Sequence, residues 1–182
     1  MDRVLLARGA RLVATCVLLL LLWSGARAET INIVVLGASN AAGSAVGSAA
    51  AWPAQLERML RAKGYDVSMS VHAARGATSS DIIGQAGSIP AGTRVVAFDV
   101  GGGNDRDGGV SDSQRKANRG KIEARIRAAG AKPVFVAYPR IVGSQGSAGW
   151  IAGDRHHHIT AQSHRKVAAA ILPQVIAAIG KK

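Results

Sequence analysis

Short apolar runs of the strand type alternate along this chain with stretches that have the apolar spacing of helices. The strands are expected at 31–36, 65–71, 93–100 and 133–138, and the helices at 53–63, 116–129 and about 160–179. Strands that alternate with helices predict an α/β fold with a parallel sheet, because parallel neighbours are joined by crossover connections. The Gly/Ser-rich residues 141–153 are expected to form a mobile loop.

The composition agrees with one globular domain built around such a sheet. Of the 182 residues, 48% are hydrophobic and 19% are charged, which excludes a disordered chain. Aromatic residues make up 4%, so Val, Ile, Leu and Ala must supply most of the core. A parallel sheet covered by Ala-rich helices suits that supply.

The first residues have the pattern of an export signal. Arginines precede an apolar run over 12–23, and Ala26 and Ala28 form the small-residue pattern that signal peptidases accept. The run is too short for a comfortable membrane span, which disfavours the alternative of an uncleaved anchor. We therefore expect a signal peptide at 1–28, a single domain at 29–182, and a periplasmic or secreted protein.

The chain carries a formal net charge of +12 at pH 7. Its basic residues are spread along the sequence without interleaved aromatic residues, which argues against a nucleic-acid partner. The charge favours solubility and non-specific contact with anionic surfaces of the cell envelope. Cys16, the single cysteine, lies in the predicted signal, so no disulfide is expected in the mature chain, and we expect a monomer.

Polar and Gly-rich blocks follow the predicted strands or precede the last helix. These blocks are 37–40, 73–78, 101–105 and 154–160. Because a parallel sheet brings the carboxyl ends of its strands to one edge, the blocks are expected to lie close together.

The residue types in these blocks match nucleophilic catalysis by a serine. The Ser39 hydroxyl needs a base, His158 can supply it, and the Asp154 carboxylate can orient the imidazole. The developing oxyanion needs preorganised donors, for which the Ser39 N–H, the Gly76 N–H and the Asn104 side-chain amide are suitable.

In order and position, Ser39, Gly76, Asn104 and His158 resemble the four blocks of the SGNH hydrolase superfamily, also called the GDSL esterase/lipase family. Residues 49–56 and 158–167 resemble its branch of bacterial periplasmic acyl-CoA thioesterases, lysophospholipases and arylesterases, and the likeness extends over about 31–177. The resemblance implies a flavodoxin-like three-layer α/β/α sandwich with a parallel sheet of four or five strands. It further implies an exported serine hydrolase that cleaves carboxylic esters or thioesters, including lipids, without a cofactor.

The chain departs from the family pattern at two places. Ala38 replaces the usual Asp before the serine, and Asp154 lies three residues before His157 but four before His158. The usual spacing from the acid favours His157 as an alternative base, whereas the Ile-Thr that follows favours His158.

Other readings stay open at the level of sequence. A carbohydrate O-acetylesterase would use the same residues on an envelope polysaccharide. An inactive binding module is the other alternative, because of Ala38 and the displaced Asp154. Three consecutive histidines at 156–158 do not have the spacing of metal ligands, so no metal is expected. We expect Asp105 to be structural, Trp52 to pack in the core, and His164 to lie on a helix surface.

Overall fold

The computed structural model describes residues 29–180, so the predicted signal peptide, its cleavage after Ala28 and Cys16 lie outside the described part of the chain. One parallel sheet organises the structure. Its strands are β1 (Ile31–Gly37), β2 (Val67–Ala73), β3 (Thr93–Phe98) and β4 (Lys132–Phe135). They lie in the order β2-β1-β3-β4, and all neighbours pair in parallel. The predicted α/β fold is confirmed, with four strands in the sheet.

Helices cover both faces of the sheet, and short helices also follow β1, β3 and β4 at its carboxyl edge. They are α1 (Ser39–Ala42), α2 (Trp52–Ala62), α3 (Ser79–Gln85), α4 (Gly102–Asp107), α5 (Asp112–Ala128), α6 (Tyr138–Val142) and α7 (Ala161–Ile179). Among the described helices, none is long and apolar enough to cross a membrane.

Alternate residues of the central strands enter two separate apolar layers. Ile33 and Val35 of β1 pack in the layer that contains the apolar faces of α2 and α7. Val34 and Leu36 point to the other side, into the layer formed with α3 and α5. Strands buried on both faces appear in sequence as continuous apolar runs, which is why β1 and β3 were predictable.

Several element boundaries differ from the expectations, including those of β2 (expected at 65–71) and β3 (expected at 93–100). The fourth strand ends at Phe135, and α6 begins at Tyr138 with Pro139 in its first turn, where proline is favoured. Residues 102–107, for which no helix was predicted, form α4. Helix α5 begins at Asp112, a turn before the expected start, because the Ser111 hydroxyl accepts from the Gln114 N–H as an N-cap.

The predicted loop over 141–153 is partly ordered by its own contacts. Its first residues complete α6, and the Trp150 indole donates to the Gly143 carbonyl oxygen at 3.0 Å. Trp150 also forms an isolated antiparallel bridge with Ile159, just before α7. This segment is thereby joined to the chain that carries the predicted base.

His164 does not lie on the surface, so that expectation was wrong. Its residue is 1% exposed, and its Nδ1 accepts the Trp52 backbone N–H at 3.0 Å. Trp52, which is fully buried as predicted, begins α2, so His164 satisfies one of the free N–H groups at that helix start. The apolar spacing around His164 predicted the helix α7 correctly. It did not reveal the Trp52 N–H, whose hydrogen bond offsets the cost of burying the imidazole.

Burial of His164 makes the stability of the protein dependent on pH. Desolvation, with repulsion from His158, lowers the pKa of His164 from its usual 6.5 to about 4. The neutral form is favoured in the fold, so the stabilisation is complete above pH 6.5 and is lost as the pH falls toward 4.

We expect the free energy of unfolding of the wild type, measured in urea, to fall as the pH is lowered through this window. The fall should exceed that of His164→Gln by roughly 2 kcal/mol. His156→Gln, a change at an exposed histidine, serves as the control and should retain the wild-type dependence; parallel curves for wild type and His164→Gln would contradict the assignment.

Candidate active site

A cleft opens at the carboxyl edge of the sheet, where the predicted blocks were expected to meet. Its volume is about 420 Å³. Its walls come from the segments that follow β1, β3 and β4 and from the chain before α7. The polar residues on these walls include Ser39, Asn40, Asp99, Asn104, Tyr138 and His157.

Ser39 is the first residue of α1 and lies two residues after the end of β1. Its exposed fraction is 7%, and it lines the cleft. Gly37 is required before it, since a Cβ there would lie 2.4 Å from Asp99 Oδ2. The Gly37 backbone therefore packs closely against the Asp99 carboxylate, and this contact places Ser39 at the cleft.

His158 is paired with Asp154 in the turn before α7. Its Nδ1 lies 2.7 Å from Asp154 Oδ2, and the same oxygen accepts the His158 backbone N–H at 2.9 Å. Asp154 Oδ1 accepts the His156 N–H at 3.0 Å. Burial raises the pKa of Asp154, but these hydrogen bonds and the charge of His158 outweigh it, so its pKa is lowered and the carboxylate stays ionised.

This geometry pairs the acid with His158 and leaves the opposite nitrogen of the ring without a partner in the described part of the chain. His158 is 7% exposed, and its Nε2 is buried without a hydrogen-bond partner among residues 29–180. The bond from Nδ1 to the carboxylate fixes the tautomer in which Nε2 can accept a proton, as a general base must. Within residues 29–180, no hydrogen bond joins this Nε2 to Ser39 Oγ.

His157, the alternative base, has a different environment. Its Nε2 lies 3.4 Å from Asp107 Oδ2, and its ring packs against Gly103, where an added Cβ would lie 2.8 Å from His157 Cδ2. Its φ of 58° is the one positive value at a non-glycine residue in the described part of the chain. Within residues 29–180 no group of His, Cys, Asp and Glu side chains forms a metal-binding cluster.

The candidate oxyanion donors are not all brought to the cleft. Asn104, in α4, is half-buried and lines it, and its Nδ2 donates one N–H to the Ala77 carbonyl oxygen at 2.8 Å. The amide has a second N–H that this bond does not use. Gly76 lies in an exposed turn after β2 with φ of 74° and is not among the residues that line the cleft.

The turn before Asn104 requires glycine and is fixed by a buried acid. Gly101 has φ of 59°, and a Cβ on it would lie 2.2 Å from the Ala77 carbonyl oxygen. Asp105, expected to be structural, is fully buried and accepts the Ser79 N–H at the start of α3 at 2.8 Å. The loops after β2 and β3 are thereby joined beside Asn104.

Sequence reasoning missed Asp99, a buried carboxylate beneath the cleft. Its Oδ1 accepts the Gly101 N–H at 2.8 Å, and its Oδ2 accepts from the Tyr138 hydroxyl at 3.1 Å and from the Ala38 N–H at 3.4 Å. Burial raises its pKa, and these three donors oppose the rise. Trp52 Nε1 donates to the Tyr138 oxygen at 2.9 Å. The available signal was an acidic residue directly after the apolar run of β3.

One wall of the cleft is apolar. Phe135, Val136, Pro139 and Trp150 contribute to it, and Arg106 and Arg115 lie among the polar lining residues. Such a wall can accept an aliphatic group, with a carbonyl carbon placed between Ser39 and Asn104.

Neither a protein-family model nor a curated protein sequence matches this chain. Solved structures do resemble it. TesA aligns with a TM-score of 0.70 at 19% identity, over 81% of this chain and 99% of TesA. A lipolytic protein of the G-D-S-L family from Desulfitobacterium hafniense aligns with a TM-score of 0.61 at 10% identity, over 79% of this chain and 99% of the other.

AlinE4, an esterase of the SGNH-hydrolase family, aligns with a TM-score of 0.54 at 20% identity, over 86% of this chain and all of AlinE4. These structures differ widely from this chain in sequence, yet they align with most of its length and with nearly the whole of each neighbour. The chain therefore has the α/β fold of the SGNH/GDSL hydrolases.

Proposed function

We propose that the protein is a serine hydrolase that cleaves carboxylic esters or thioesters through an acyl-Ser39 intermediate. The observation that carries this proposal is the Asp154–His158 pair, joined at 2.7 Å, on the segment that contacts the residue after Ser39. The fold shared with SGNH hydrolases and the cleft beside Ser39 support it.

In the first half of the reaction, Ser39 Oγ bonds to the carbonyl carbon and His158 Nε2 takes the hydroxyl proton. Asp154 keeps the ring oriented and stabilises the imidazolium that forms. Negative charge on the carbonyl oxygen is met by the Ser39 backbone N–H and the free N–H of Asn104. The C–O or C–S bond then breaks, and His158 returns its proton to the leaving group.

In the second half, water attacks the acyl carbon and gives its proton to His158 Nε2. The carbon–Ser39 bond breaks, the acid leaves, and the proton returns to Ser39 Oγ. This cycle uses no cofactor. With the predicted signal peptide, we place the reaction in the periplasm or outside the cell.

The cleft favours an acyl chain longer than acetyl. Four apolar side chains line one wall, and the whole space of about 420 Å³ is far larger than an acetyl group needs. We therefore propose medium-chain esters and thioesters as the substrates of this chain.

The catalytic assignment is tested by a fluorophosphonate probe on the purified protein. Ser39→Ala removes the nucleophile and His158→Ala the base, so both should lose labelling and lower kcat for aryl esters by at least about 10³-fold. His157→Ala should retain labelling, because its ring faces Asp107 instead of Asp154. Labelling that persists in Ser39→Ala, or an unreactive wild type, would favour the inactive binding module.

Asp154→Asn tests the orientation of the base. The amide keeps the size of the side chain but cannot accept from the His158 ring and backbone as a carboxylate does, so the imidazole is not held in the required tautomer. We expect kcat to fall by about 10² to 10⁴-fold with KM little changed. Asp107→Asn, at the acid beside His157, is the matched control, and its kcat should stay within about threefold of wild type. Equal losses of kcat in both variants would contradict the assignment.

Acyl-chain preference is tested with p-nitrophenyl esters from acetate to decanoate. Trp150 is half-buried on the apolar wall, so Trp150→Ala should raise KM for the longer esters by about tenfold and leave acetate nearly unchanged. Val71→Ala, at an exposed apolar residue on β2, is the control. Turnover of acetate esters alone, with acetate released from acetylated glycans, would favour the O-acetylesterase instead.

A further inference from the structure

Asn40, the residue directly after Ser39, joins the serine turn to the chain that carries His158. Its Nδ2 donates to the His157 carbonyl oxygen at 3.1 Å, and its Oδ1 accepts the Ile159 N–H at 3.0 Å. The side chain is 9% exposed. One buried amide thus bonds to the main chain on both sides of His158.

These two bonds fix the backbone of His158 relative to the backbone of Ser39. Ser39 and Asn40 are consecutive in α1, and an asparagine side chain has two rotatable bonds. The segment 157–159 lies more than a hundred residues away in sequence, so local structure cannot set this distance. A displacement of the base by about 1 Å is enough to lower a rate by about 10²-fold.

The segment needs such support because its backbone is strained. His157 has φ of 58°, in the left-handed region that is unfavourable for a residue with a β-carbon. This turn of the chain lets Asp154 Oδ2 meet both the N–H and the ring of His158. The Asn40 bond to the His157 carbonyl holds the strained peptide from the side of the serine.

The opposite side of the same segment is held by the chain before it. The Ile151 N–H donates to the His158 carbonyl oxygen at 2.9 Å, and Ile159 is fully buried. Those contacts place the segment against the core, but they do not reach Ser39. Among the hydrogen bonds that residues 157–159 make within the described chain, those from Asn40 come from the serine turn.

We propose that Asn40 is a positioning residue for the hydrolase reaction, which sets the place of His158 relative to Ser39 by bonding the peptides on both sides of His158. The inference rests on the proposed function. It requires an amide, because the two bonds need one donor and one acceptor in the same side chain. A carboxylate retains the acceptor for Ile159 but has no donor for the His157 carbonyl.

The test compares Asn40→Ala and Asn40→Asp with Asn118→Ala in the full chain. Asn118 is a matched control, since it is a buried amide (3% exposed) bonded on both sides, to Ser79 Oγ and Gln114 Nε2, and does not line the cleft. Turnover of a p-nitrophenyl ester gives kcat and KM, and thermal unfolding gives the stability of each variant.

In both Asn40 variants we expect kcat to fall by about 10²-fold with KM within about threefold of wild type. Asn118→Ala should lose comparable thermal stability and retain kcat. The proton NMR signal of the His158 Nδ1–H, bonded to Asp154, should broaden or disappear in the Asn40 variants and persist in Asn118→Ala. A merely structural role for Asn40 would not separate the two sites in this way.

Wild-type kcat in folded Asn40→Asp, or equal losses of kcat at Asn40 and Asn118, would overturn the positioning role while leaving the proposed function in place. Should Asn40→Ala fail to fold, Asn40→Asp and Asn40→Ser carry the same comparison. An inactive wild type would refute the proposed function instead. In that case, an unchanged Nδ1–H signal in the Asn40 variants would also refute the role of Asn40 in positioning His158.

Discussion

The buried carboxylate of Asp99 connects the three loops from which the cleft is built. It accepts from the Ala38 N–H after β1, from the Gly101 N–H after β3 and from the Tyr138 hydroxyl after β4. Burial of a carboxylate is costly, and the raised pKa of Asp99 reflects that cost. The three groups that donate to Asp99 offset this cost. They belong to the loops that carry Ser39, Asn104 and the apolar wall, so the bonds to Asp99 fix where these parts of the cleft lie.

The same network explains how the chain accommodates Ala38, where an SGNH hydrolase usually has aspartate. Ala38 is buried in the apolar layer with α3 and α5, and its N–H faces Asp99 Oδ2. A carboxylate therefore contacts the serine turn from the end of β3 instead of from the preceding residue. Tyr138 and Trp52 extend the network into the other layer, so both faces of the sheet support the turn.

Much of the fold followed from the sequence because its strongest signals are local. β1 and β3 are continuous apolar runs, and α2 and α7 have clear helical spacing. Helix α4 was missed because its Gly-rich start resembles a loop, and it is held by the left-handed Gly101 and by buried Asp105. His164 was misplaced because burial of its imidazole depends on a partner more than a hundred residues away.

The sequence by itself determined the order along the chain of the four strands and the three long helices. It thereby determined the edge of the sheet where Ser39, Asn104 and the 154–160 segment meet, since apolar periodicity reports burial along each element. Only the tertiary structure decided that Asp154 pairs with His158 instead of His157, that Gly76 lies away from the cleft lining, and that Asp99 and Asn40 join the loops. These outcomes depend on hydrogen bonds between residues far apart in the chain, whose geometry is set when the layers pack and leaves no periodic trace in the sequence.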